Sequence, residues 1–229
     1  NSTVNLSTDA FGHVVRVLRL SDGDNITLFN GSGNDFSATL TNVSKKSAQA
    51  VITAIKPVNN ESPLTLHLGQ GISRGDRMDF TLQKSVELGV SAVTPLFTER
   101  CGVKLTGDRL TKKLEQWQKI VIAACEQSGR SKVPEVMAPM TLNQWLEQQT
   151  DALKINLHPK AQHTIMGLTP QTNNIRLLIG PEGGLSDEEI AAAKNAEFID
   201  VLIGPRILRT ETAALTAITA LQCRYGDLA

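Results

Sequence analysis

Two turns of similar make carry most of the chemistry on offer in this chain. "LLIGPEGGLSDEEI" runs from Leu177 to Ile190, and "VLIGPRILRTETAAL" runs from Val201 to Leu215. In each, an apolar run stops at Ile-Gly-Pro: Ile179, Gly180 and Pro181 in the first, Ile203, Gly204 and Pro205 in the second. Glu182 follows the first proline and Arg206 follows the second. Gly183 and Gly184 tolerate positive φ and let a ligand come close to the backbone. Ser186 followed by Glu189 matches a capping box, which starts a helix at about 185–187. In open α/β sheets ligands sit beyond the carboxyl ends of the strands, where both turns would fall.

A phosphate cradle does not fit these turns. There is no Gly-Lys-Ser/Thr ending and no Gly-x-Gly-x-x-Gly after a first strand. Glu182, Asp187, Glu188 and Glu189 crowd the first turn with negative charge, which repels a pyrophosphate. A cationic or neutral ligand suits it better. S-adenosylmethionine has a sulfonium and an uncharged adenosine, and it needs backbone amides and carbonyls more than arginines. One glycine-rich turn alone is as readily a loop that ends a strand; two on neighbouring strand ends favour a binding site. Other chemistries lack their residues. The four histidines (His13, His67, His158, His163) are too scattered for a metal site, and Cys101, Cys125 and Cys223 never form a Cys-x-x-Cys pair, which reads as reduced thiols. No Gly-x-Ser-x-Gly elbow marks a hydrolase.

The elements that must position the turns follow from pattern. The 229 residues suit one large or two modest domains; net charge is zero, so a polyanion site has to be a local patch, and no run of about 18 apolar residues suggests a membrane span. Residues 1–60 read as strands with turns about every ten residues: "HVVRVLRL" (His13–Leu20), "NITLFN" (Asn25–Asn30), "DFSATLTNV" (Asp35–Val43) and Gln49–Lys56, a small antiparallel barrel or sandwich. The linker "PVNNESP" (Pro57–Pro63) marks the boundary. Residues 61–229 then alternate strands (Leu64–Gln70, Val90–Phe97, Ala152–His158, Asn174–Gly180, Phe198–Gly204) with helices (Met78–Leu88, Asp108–Gln127, Ser186–Asn195, Thr210–Tyr225), the grammar of an α/β fold with a mainly parallel sheet. In the last helix Ala213, Ala214, Leu215, Ala217, Ile218 and Leu221 suit either a core or a close interface.

The two turn blocks resemble the paired signature of the RsmE family, 16S ribosomal RNA uridine-N3 methyltransferases of the SPOUT (α/β-knot) superfamily. "HVVRVLRL" resembles the opening of that family's PUA-like β-barrel, and "QKSVELGV" (Gln83–Val90), "PLFTERCGVK" (Pro95–Lys104) and "AACEQSGRSKVPEV" (Ala123–Val136) resemble its middle blocks. The resemblance covers nearly the whole chain. One departure is that the family usually opens with a further, basic strand, and this chain, beginning at Asn1, is expected to start after it. The resemblance implies a PUA-like RNA-binding barrel over 1–60 and a SPOUT trefoil-knot methyltransferase domain over 61–229. It implies S-adenosyl-L-methionine as cofactor, 16S ribosomal RNA of the small ribosomal subunit as substrate and a homodimer, while the residues themselves point to no metal, no membrane and, from the reduced thiols, a cytoplasmic location. The cofactor would lie among Leu157 and His158 of the "NLHP" strand end, Ile179, Gly180, Pro181, Glu182, Gly183 and Gly184 of the first turn, and Leu202, Ile203, Gly204, Ile207, Leu208, Arg209 and Thr210 of the second.

Methylation at N3 of uracil requires removal of a proton, stabilisation of the imide anion and an in-line methyl. Under that reading Arg209, and next Arg206, orient the substrate or stabilise its charge, and Glu182 meets the sulfonium or amino group, with Glu211 as the alternative acid. Against this, Arg209 could pair with Glu182 or Glu211 and hold the pocket's shape. The general base stays open. His158 could touch the cofactor, although a satisfied structural histidine is the commoner case. For RNA, Arg100–Lys132 holds eight basic residues against three acidic ones, with Arg100, Lys104 and Arg130 singled out. His13, Arg16, Arg19, Lys45 and Lys46 are the candidates in the barrel, with Arg16 and Arg19 on opposite sides of a strand. A reading from another class is a non-catalytic RNA-binding protein with a vestigial pocket, which the intact turn blocks disfavour.

Overall fold

The computed structural model describes residues 2–228. Asn1 and Ala229, the outer bounds of the two expected domains, lie outside the described residues. The chain divides into two compact units, Asn1–Asn60 with Arg130–Val133, and Glu61–Gly129 with Pro134–Ala229.

In the first unit, strand β1 (Thr3–Asn5) leads into helix α1 (Thr8–Phe11), which runs on as a π-helical turn over Gly12–Val17. Strands β2 (Asn25–Phe29), β3 (Asn34–Thr41) and β4 (Gln49–Pro57) follow, and the four strands pair antiparallel in the order β1-β4-β3-β2. Ala38, Leu40 and Ala50 face inward, with Leu40 opposite Ala50. Arg130–Val133 is held in this unit by the Gly33 N–H, which donates to the Ser131 carbonyl, and by the Ser131 hydroxyl, which donates to the Asp35 carboxylate.

The strand expected at His13–Leu20 is helical instead. The Ser7 hydroxyl accepts the Ala10 N–H and caps the helix, a start signal that competes with the β-branched run. Phe11 and Val14, one turn apart, then bury together, whereas Val17 and Leu18 are exposed. Arg16 therefore does not sit across a strand from Arg19. It lies over the Phe11 ring, 5.3 Å from its centre, and Arg19 ends the segment at φ 58°.

In the second unit the chain passes through β5 (Thr65–Gly71), α2 (Asp76–Glu87), β6 (Ala92–Phe97), α3 (Gly107–Ser128), β7 (Glu135–Val136), β8 (Met140–Thr141) and α4 (Leu142–Leu146). It continues through β9 (Leu153–Leu157), β10 (His163–Thr164), β11 (Asn174–Ile179), α5 (Asp187–Asn195), β12 (Ile199–Leu202) and α6 (Thr210–Tyr225). The sheet is parallel, in the order β10-β12-β9-β11-β5-β6-β7, with β8 also paired to β6. β5 and β11 are central, which is why Leu66, Leu68, Ile175, Leu177 and Leu178 are all fully buried. Helices α2 and α6 pack together, and so do α4 and α5. Ala214, Ala217, Ile218 and Leu221 of α6 are buried within the chain itself, while Ala213 and Leu215 keep partial exposure.

Candidate active site

Register decides which residues meet. Leu178 and Asp200 both lie opposite Asn156, and Val201 lies opposite Leu157, so β9, β11 and β12 end together on one edge of the sheet. The loops that leave them enclose a single cavity of about 600 Å³. Both Ile-Gly-Pro turns and the "NLHP" strand end line it, and every residue expected around the cofactor, from Leu157 to Thr210, is among its walls. Arg206 and Arg100 line it too. So do Arg77, Asn156, Lys160, Asp187 and Glu211. Of these, Glu211 carried a sequence argument as an alternative acid and Asp187 as part of the first turn's negative charge; Arg77 reaches the cavity from α2, a contact that no local pattern announces.

The two turns are stapled together by Thr210. Its hydroxyl donates to the Gly180 carbonyl at 2.6 Å and accepts the Gln70 side-chain N–H at 2.9 Å. Gln70 and Thr210 are both buried, so these bonds are shielded from water and costly to lose. Gly71, next along β5, lets the first turn settle onto it: a Cβ there would stand 2.5 Å from the Pro181 nitrogen. The left-handed backbone at Gly184 (φ 69°) and Gly204 (φ 65°) turns each loop back. Ser186 and Glu189 form the expected capping box, and Glu189 also accepts the Glu99 N–H. Arg100 donates to the carbonyls of Gly183 and Leu185, so this arginine braces the turn.

The acids and arginines are not equivalent. Glu182 accepts hydrogen bonds from the Arg74 N–H (2.9 Å) and from Arg77 (3.0 Å). Burial pushes its carboxyl up, but the hydrogen bonds from the Arg74 and Glu182 backbone and from the Arg77 guanidinium, with the charge of Arg77, outweigh this and hold it below the usual range. Arg209 does not pair with it. Arg209 caps α6 with extended backbone, and neither it nor Arg206 makes an ion pair among the described residues. Two acceptor atoms at the cavity wall, Glu211 Oε2 and Asn156 Oδ1, are buried without a hydrogen-bond partner among the described residues. His158 Nδ1 accepts the Lys160 N–H, and the His158 N–H donates to Val201.

Of the basic residues expected to meet RNA, His13, Arg16, Arg19, Lys45, Lys46 and Lys104 are exposed. Arg130 is not: only 6% of it is accessible, because Arg130–Val133 is drawn into the first unit, so it cannot serve as a surface phosphate contact in this conformation. No group of three or more histidine, cysteine or acidic residues suited to a metal occurs among the described residues, and no helix among them is long and apolar enough to cross a membrane.

With that geometry in hand, comparison with known proteins is informative. Residues 60–222 match the family described as "RNA methyltransferase domain", and residues 6–53 match "RNA methyltransferase PUA domain". The ribosomal RNA small subunit methyltransferase E of Buchnera aphidicola (from Schizaphis graminum) is 40% identical over the whole of this chain and 93% of its own length. That of Bacillus subtilis is 32% identical over 96% of this chain and 89% of its own. Among solved structures, a methyltransferase from Legionella pneumophila with bound S-adenosylmethionine superposes with a TM-score of 0.96 at 46% identity, covering 99% of this chain and 94% of that one. The methyltransferase E of Neisseria gonorrhoeae, bound to S-adenosyl methionine, gives 0.93 at 43% identity, covering 100% and 94%. An antiparallel PUA-like unit, a mainly parallel α/β sheet and two strand-end turns around one cavity thus agree with matches that span the full chain: the protein belongs to the ribosomal RNA small subunit methyltransferase E (RsmE) family.

Proposed function

We propose that the protein transfers the methyl group of S-adenosyl-L-methionine to N3 of one uridine in the 16S ribosomal RNA of the small ribosomal subunit, acting as a homodimer in the cytoplasm. The observation that supports this most is the single cavity shared by the Pro181 and Pro205 turns. Its walls fit the cofactor's chemistry. The cavity has glycine-backed turns for close backbone contact, two acceptor oxygens without partners among the described residues, Asn156 Oδ1 and Glu211 Oε2, and no glycine-lysine phosphate cage. When bound, S-adenosylmethionine supplies an electrophilic methyl on a positively charged sulfur.

The chain's own residues do the rest. Arg209 stands at the cavity and makes no ion pair among the described residues, so its guanidinium is available to a uracil carbonyl and stabilises the imide charge that grows as N3 loses its proton. Arg206, exposed on the same turn, draws the RNA strand toward the opening. Glu211 takes the role first considered for Glu182. The Glu182 charge is already answered by Arg77, whereas Glu211 offers an oxygen that needs a donor or a cation. The exposed His13, Arg16, Arg19, Lys45 and Lys46 of the first unit and Lys104 of the second supply phosphate contacts, which position the RNA without specifying a base. The uridine is extruded to reach the cavity, since N3 is hidden in a base pair.

Mass-spectrometric mapping of 16S ribosomal RNA from cells lacking the gene tests this. One uridine should lose a base methyl, regain it with the wild-type gene, and fail to regain it with Arg209→Ala. An unchanged methylation map would refute the proposal.

A further inference from the structure

Asn156 is fully buried, yet it is part of the cavity wall. Its orientation is set: the side-chain Nδ2 donates to Asp200 Oδ1 at 2.7 Å, across the β9–β12 register. Asp200 is held in turn by Lys194 at the end of α5, 3.1 Å away, with Lys194 60% exposed and Asp200 13%. An amide has one acceptor and one donor end. With the donor end bonded to Asp200, Oδ1 is the end left for a ligand; it is buried in a residue of the cavity wall and has no hydrogen-bond partner among the described residues.

The surroundings say what donor it waits for. Ile179 and Leu185 are buried in the same cavity wall and Ile190 is half-buried, so the wall that holds Asn156 has an apolar end. Of the charged groups in the wall, Lys160, Asp187, Arg206 and Arg209 are exposed, whereas Glu211, at the start of α6, is half-buried. A carboxylate, ammonium or sulfonium placed at the apolar end would lose water without gaining a countercharge. A flat heterocycle with one N–H on its edge loses little and satisfies the oxygen.

We infer that Asn156, locked by Asp200 and Lys194, is the residue that selects the nucleobase of the methyl donor, its Oδ1 accepting a hydrogen bond from an exocyclic amine. The Lys194–Asp200–Asn156 chain thus sets, from the surface, the hydrogen-bond polarity of this part of the wall. This rests on the methyl-donor reading above and goes beyond it by naming the selective atom.

Calorimetric titration of the whole protein with S-adenosylhomocysteine and with S-inosylhomocysteine, in which a carbonyl replaces the amine, separates the cases. Wild type should bind the adenosyl ligand roughly tenfold or more tightly than the inosyl one, and Asn156→Ala should lose about tenfold for the first while changing the second by less than about twofold. Asp200→Ala, which unlocks the amide and lets it present its donor end, should narrow the preference without removing Asn156. It also decides the matter if Asn156→Ala melts early. Equal binding of the two ligands by wild type, or equal weakening of both by Asn156→Ala, overturns the inference. If wild type binds neither ligand, the methyl-donor reading itself fails.

Discussion

Arg209 and Glu211 stand two residues apart at the start of α6 and meet the cavity with opposite charge. Arg209→Ala should slow methyl transfer in single-turnover assays by about 10²- to 10³-fold, the usual loss for a preorganised charge-stabilising donor, while S-adenosylmethionine affinity stays within about threefold. A parallel collapse of affinity would make Arg209 a binding residue. Glu211→Gln should weaken cofactor binding roughly tenfold and Glu182→Gln by about threefold or less, because the Arg77 pair already neutralises Glu182; calorimetry gives the order directly. At this scale the sequence shows residue types and turn positions but not partners. Nothing in "GPEGG" tells that Glu182 is engaged by Arg77, 105 residues earlier, or that Asn156 has its amide turned toward Asp200. Arg130 shows the same limit: its charge is visible in the sequence and its burial is not.

The staple between the turns belongs to the scale of elements. Thr210→Val keeps the shape of the side chain but removes the donor to Gly180 and leaves the buried Gln70 amide short of an acceptor. A loss of about 1–3 kcal/mol in denaturant unfolding, with weaker cofactor binding, is expected. Behind the cavity, His67 of β5 is edge-on to Trp145 and hydrogen-bonded to Thr94. Burial first, and then the Arg176 charge, lower its pKa from 6.5 to about 4. The unfolded chain therefore takes up a proton on this residue before the folded one does. Its contribution is fully present above pH 6.5 and is lost as pH falls toward 4, on the order of 3 kcal/mol in all. His67→Gln should flatten that slope in pH-dependent melts; an unchanged slope would assign it to other groups. Elements with a long, single period are readable in advance: α3, α5 and α6 and the buried strands β5 and β11 lie within a residue or two of where pattern puts them. "HVVRVLRL" is not, because its apolar residues satisfy both periods, and the Ser7 cap with Phe11–Val14 burial decides for the helix. The two-residue strands β7, β8 and β10 carry too few residues for any period to register.

For the whole molecule, β12 lies outside β9 although it follows β11 in the chain, and α6 then returns to pack on α2. This crossing puts the strands that carry the two turns on either side of β9, so both turns reach one cavity, and no periodicity encodes it; only the resemblance of the full turn blocks reached that far. Light scattering should give a mass of twice 24.8 kDa if the proposed homodimer forms, and 24.8 kDa would refute it. The most direct measurement of the central claim is a single-turnover reaction of the purified protein, isotopically labelled S-adenosylmethionine and small ribosomal subunits, followed by digestion of the 16S RNA to nucleosides. One labelled N3-methyluridine per subunit is the expected product, formed about 10²- to 10³-fold more slowly with Arg209→Ala. Label on a ribose, on another base, or nowhere in the RNA would contradict the account.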